Sequence, residues 1–190
     1  MIAVNTLLAA SAGGFAALIV VLMKTKIYDV GMMFNGILAG LVAVTAPCAW
    51  IEAWAAVVIG LIAGVIVVIG VYGLEKLKID DPVGAVSVHG FNGMWGLISV
   101  GIFADGTYGN YSTDAPFATG LLYGGGSGQL IAQVTGAGVA ALWAFVCGYI
   151  LFKIMDAIMG IRVSPQEEMK GLDVYEHGGS AYPDFYTQNK

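Results

Sequence analysis

Apolar residues run through this chain in five long stretches separated by short polar connections. The first stretch is Met1–Met23, the second Val30–Ala46 and the third Ala53–Leu74. The fourth runs from Pro82 to Ala104 and the fifth from Gly128 to Phe152. A bilayer core about 30 Å thick is crossed by ~20 apolar residues in helical form. None of the stretches carries Asp, Glu, Lys or Arg beyond its edges. The pattern predicts five transmembrane helices, the only open-ended element that satisfies its own backbone in lipid. The expected organisation is a membrane domain over residues 1–160 and a polar tail over 161–190. Met1–Met23 has no basic segment ahead of its apolar run, so it reads as a span and not as a leader.

Composition agrees. Hydrophobic residues make up 58% of the chain and charged ones 11%, where a soluble domain carries about 25% charged. The net charge of −5 sits in short clusters and the tail. There is no basic patch or phosphate loop, so a nucleic-acid partner is not expected. Cys48 and Cys147 lie in or beside apolar segments and read as small hydrophobes rather than as a disulfide or metal pair.

The connections alternate in charge. KTKIYD follows the first span, EKLKIDD the third, and Lys153, Arg162 and Lys170 the fifth. CAWIEAW, between the second and third, has no Lys or Arg. Neither does the long aromatic connection from Asp105 to Ser127. All eight Lys and Arg therefore fall on one side, which the positive-inside bias makes cytoplasmic. The expected topology has the N-terminus external and the tail cytoplasmic. Trp50 and Trp54 sit at an external turn, where interfacial aromatics belong. Gly36 with Gly40, and Gly60 with Gly64, form GxxxG pairs. These mark either tight helix crossings or only the abundance of glycine in membrane helices.

One ionisable side chain lies well inside a span: His89, in DPVGAVSVHGFNGMWG. Such groups are costly in lipid and face an interior. Projected on a regular α-helix, His89 shares a small, mildly polar face with Ala85, Val86, Asn92, Gly93 and Gly96, while Trp95 and Leu97 fall away. His89 and Asn92 then point into protein or line a narrow passage as pore residues, with a packing histidine as the other reading of His89. A second intramembrane histidine is absent, so no haem or metal pair is expected, and no cofactor. No Ser–His–Asp set or paired carboxylates mark an enzyme. Asn5, Asn35, Thr6 and Thr45 are uncharged polar residues in spans, and all but Thr45 read as interhelical hydrogen-bonding residues. Asp80 and Asp81, before Pro82, read as the cap of the fourth helix.

Four runs resemble one family. DDPVGAVSVHGFNGMWGLISVGIF is similar to the tenth span of the Amt/Mep/Rh ammonium transporters. FNGILAGLVAVTAPCA resembles their eighth, VNTLLAASAGG the start of their seventh, and IRVSPQEEMKGLDVYEHGGSAY their cytoplasmic tail motif. The resemblance implies an all-α fold in which this chain forms spans seven to eleven of an eleven-span protomer. It implies inverted repeats, a homotrimer in the cell membrane, transport of ammonium or ammonia, and a PII-type regulatory protein as partner. His89 matches the second of two pore histidines, and Thr45 a pore-side threonine. The first pore histidine, the paired phenylalanines and the cation-recruitment site belong to spans one to six, the N-terminal half that this chain lacks. Two other readings stand beside transport: a membrane-embedded ammonium sensor, or an inactive fragment.

Overall fold

The computed structural model describes residues 1–109 and 118–181. Five helices follow the five apolar stretches: α1 (Ile2–Thr25), α2 (Val30–Thr45), α3 (Ala53–Lys76), α4 (Asn92–Phe103) and α5 (Ser127–Met159). A π-helical turn, Val86–Phe91, leads directly into α4, and a single 3-10 turn, Leu121–Tyr123, precedes α5. Two short helices, α6 (Pro165–Lys170) and α7 (Leu172–His177), lie in the tail. Among the described residues, four segments are long and apolar enough to cross a membrane: α1, α3, α5, and the π turn with α4. At 16 residues, α2 rises only about 24 Å. The described residues divide into two compact units, Met1–Trp143 and Ala144–Lys190.

The first unit is built on α1, which lies against both α2 and α3. Glycines make that approach close. A Cβ added at Gly40 of α2 or at Gly60 of α3 would run into the Ala9 carbonyl oxygen of α1. At Gly64 it would meet the Gly13 carbonyl, and at Gly36 the Ala17 Cβ. Both GxxxG pairs are therefore seats for one stripe of α1, as small-residue crossings in membranes require. Around them Ala39, Ala43, Val44, Ala56, Ile59, Ala63 and Val67 are fully buried. Asn5 closes the far end. Its Nδ2 donates to the Cys48 and Ile51 carbonyls, each at 2.9 Å, tying the start of α1 to the turn between α2 and α3. Thr6 and Thr45 instead return their hydroxyls to Ile2 and Leu41 of their own helices. At the lysine-bearing end, Asp29 caps α2 by accepting from Met32 N at 2.9 Å. There the Lys24 ammonium also lies 3.1 Å from the centre of the Tyr72 ring, a cation–π contact between α1 and α3.

The long connection before α5 starts at a buried Asp105. Its Oδ1 accepts from Thr107 N at 2.7 Å, Thr107 Oγ1 at 2.9 Å and Tyr108 N at 3.2 Å. Nearby, Glu52 Oε2 accepts from the Trp54 indole at 2.7 Å and from the Tyr123 hydroxyl at 3.3 Å. Burial, followed by the Glu52 charge, holds the Tyr123 phenol above its ordinary pKa. Much of the remaining aromatic connection, residues 110–117, lies outside the described residues, as does the end of the tail from 182. Only Ala137 of α5 is buried; its Val139, Leu142 and Trp143 are exposed, as on a helix meeting lipid or another helix.

In the second unit, α5 continues past the expected Phe152 through Lys153 and Asp156. Helicity there outlasts hydrophobicity. The tail is locally ordered: Ser164 and Glu167 form a reciprocal capping box at the start of α6, with Ser164 N donating to Glu167 Oε2 at 2.8 Å. That bond, then the bond with the Ser164 side chain, keeps the Glu167 carboxyl below its ordinary value of 4.5. A depressed carboxylate pKa stabilises α6 above the unfolded value, and the contribution disappears as pH falls through the folded value. Protection of the Ser164 amide from hydrogen exchange is therefore expected to fall below pH 4.5. Glu167→Gln should flatten that acid limb; an unchanged acid limb in the variant would refute the assignment.

Candidate functional site

The fourth apolar stretch does not become helical at Pro82. The Asp81–Gly84 turn closes first, with Gly84 N donating to Asp81 O at 3.0 Å. Gly84 adopts a φ of 71°, which a residue with a Cβ takes only with strain. It also has no room for one, since Asn35 Nδ2 and Val71 Cγ2 lie 3.1 Å from where that atom would be. The Asp81 carboxylate then reaches over the turn to Val86 N, at 3.1 and 3.3 Å. Asp80 is exposed and makes no side-chain hydrogen bond among the described residues.

From Val86 the backbone follows a π-helix, closing i→i+5 instead of i→i+4. The wider turn changes which side chains share a face. Ala85, Val86, His89 and Gly90 are exposed, whereas Asn92 and Gly96 are buried. The single face expected from α-helical periodicity is thus split in two. Gly96 presses on α2, where its Cβ would lie 2.6 Å from the Ala43 carbonyl oxygen. Asn92 is fully buried, and its Nδ2 donates to Ser87 O at 2.9 Å. Trp95, expected to point away, is half-buried and donates its indole N–H to Ile59 O at 3.2 Å.

His89 stands on the open side. No group among the described residues hydrogen-bonds its imidazole. Its neighbours along the helix leave space: a Cβ at Gly90 would meet only Val86 at 3.6 Å, and one at Gly93 only Val42 at 4.0 Å. The pairing of Gly84 with Asn35, Gly93 with Val42 and Gly96 with Ala43 sets the level of each residue along α2. By that ladder His89 lies between the levels of Asn35 and Val42, and Thr45 lies further along, at the exposed end of α2. The structure therefore places His89 and Thr45 at different depths of the bundle, and turns Asn92 inward. No group of three or more metal-ligating side chains occurs among the described residues. What remains is an imidazole without a hydrogen-bond partner among the described residues, on an apolar surface shared with Ala85, Val86 and Gly90.

The sequence profile of the Ammonium Transporter Family matches residues 1–182. Ammonium transporter Amt2 of Archaeoglobus fulgidus is 55% identical over 185 residues, which cover 97% of this chain and 39% of that protein. Ammonium transporter 3 of Dictyostelium discoideum is 42% identical over 175 residues, covering 89% of this chain and 40% of that protein. Among solved structures, one titled Sensor Amt Protein superposes with a TM-score of 0.77 at 37% identity, over 93% of this chain and 41% of that one. Candida albicans Mep2 superposes with a TM-score of 0.77 at 28% identity, over the whole of this chain and 42% of that one. The chain thus spans about two-fifths of the length of these relatives.

Proposed function

This chain belongs to the ammonium transporter family, and from that premise we propose that it forms the His89-bearing half of a pore that moves ammonium or ammonia across a membrane. The observation that carries the reading is the placement of His89: exposed beside Ala85, Val86 and Gly90, in an uncharged apolar segment, with no hydrogen-bond partner among the described residues. An ionisable group so placed in lipid is stable only against a second protein surface or a water-lined passage. The resemblance supplies both, since the other pore histidine belongs to spans one to six.

The mechanism follows from the chemistry of the imidazole. An apolar lumen makes passage of an intact ion costly. An imidazole can take a proton from ammonium and return it while neutral ammonia advances. K⁺ has no proton to give, so the same lumen excludes it chemically as well as by desolvation. Thr45, at the far end of α2, is placed near the pore mouth by the same resemblance. The lysine-bearing end is read as cytoplasmic and the N-terminus as external. A homotrimer and a PII-type regulator on the cytoplasmic face complete the reading.

Reconstitution tests it. Proteoliposomes holding this chain together with a chain supplying spans one to six should carry a saturable ammonium-driven current. This chain alone should carry none. Selective transport by this chain alone would overturn the half-pore reading. Specific ammonium binding without flux in the complete assembly would favour the sensor.

A further inference from the structure

A π turn is an uncommon way to begin a membrane helix, and something must hold it against relaxing to an α-helix. Two features do so. The Asn92 backbone N–H turns to the His89 carbonyl, three residues back, while its side chain reaches back five residues and donates to Ser87 O at 2.9 Å. Both residues are fully buried, so that bond is shielded from water. On the other side, α3 offers the widened turn a glycine. A Cβ at Gly70 would lie 2.8 Å from Ser87 Oγ and 2.9 Å from Phe91 Cδ2. His89 sits inside the bracket that Ser87 and Asn92 close, facing away from it.

We propose that Asn92 is a positioning residue: its bond to the Ser87 carbonyl fixes the π turn, and the π turn aims His89 at the open face. Asn92 itself lies behind the helix and touches nothing that passes. Without the turn, α-helical periodicity would bring Asn92 round to within about 60° of His89, towards the open side. The inference rests on the transport reading only for its consequence.

The test uses the complete assembly, with Cys48→Ala and Cys147→Ala removing this chain's own thiols and labelling read on this chain alone. One arm adds His89→Cys and measures its labelling by a small cationic thiol reagent. Asn92→Leu removes the amide, and Asn92→Ser, whose hydroxyl is too short to span the turn, serves if the leucine variant fails to assemble. Either should change the labelling rate of His89→Cys by about tenfold, the scale of one buried hydrogen bond. The second arm keeps His89 and measures ammonium-driven current and its pH profile. Altered labelling with altered current and a shifted pH profile supports the proposal. Altered labelling with wild-type current supports the clamp and rejects the relay role of His89. Lost current with unchanged labelling would make Asn92 a lumen residue and overturn the proposal, as would wild-type behaviour in both arms.

Discussion

His89→Ala, in an assembly that includes spans one to six, is expected to lower ammonium-driven current by about a hundredfold, the lower range for loss of a proton-transferring side chain. Assembly should be little affected. Among the described residues the imidazole has no hydrogen-bond partner, and its neighbours Gly90 and Gly93 leave it loosely surrounded. Truncating such a side chain changes stability by no more than about 0.5 kcal/mol. A packing histidine predicts the opposite order, with stability lost first and selectivity retained in whatever assembles. His89→Glu should keep part of the current, because a carboxylate also exchanges protons. Its fixed charge should at the same time weaken discrimination against K⁺. The measurement is current in ammonium and in K⁺ on matched amounts of purified complex. Wild-type current and selectivity in His89→Ala would end the relay role for this residue.

The spans were legible because lipid imposes a length and an apolar composition, and residues such as Lys24, Lys76 and Lys153 sit just beyond each apolar run. The family was legible because long motifs around His89 and in the tail occur in order. The face of His89 was only half legible. Projecting residues 85–96 with a regular α-helical period correctly grouped Ala85 and Val86 with His89, but it also grouped Asn92, which the π turn carries to the buried side. Nothing local announces that turn. Its supports are Gly70 on another helix and the Asn92 side chain bonding backward. The late start of the fourth helix has a similar cause: Pro82 is a natural first residue, yet the positive φ of Gly84 inserts a turn before Val86. The apolar run ends at Phe152 but α5 does not: Lys153 and Asp156 interrupt the hydrophobicity without breaking the helix. The GxxxG pairs were visible as motifs; their shared target, the Ala9 and Gly13 stretch of α1, was not.

That shared target sets the largest structural effect expected in the bundle. Gly60→Val should prevent stable assembly of α1 with α3, and Gly40→Val should do the same for α1 with α2. A Cβ at either position runs into the Ala9 carbonyl, and at Gly60 it also lies 2.8 Å from Ala9 Cα. These are backbone atoms, so no rotamer change relieves the overlap and the whole helix must move. Overpacking against side chains costs about 1–3 kcal/mol, and displacement of a central helix should exceed that. Gly73 is the internal control. It lies on the same helix as Gly60, but a Cβ there meets nothing within 4 Å. Gly73→Ala should therefore leave the thermal midpoint in detergent unchanged or raise it, as expected for alanine over glycine in a helix. The effects at Gly40 and Gly60 should also be coupled. Both press on the same carbonyl of α1, so once Gly40→Ala has pushed the helix away, Gly60→Ala has less left to disturb. A double-mutant cycle should show a combined loss smaller than the sum of the two single losses. Strict additivity, or a Gly60→Val variant that melts with the wild type, would mean that α1 is not the element these glycines admit.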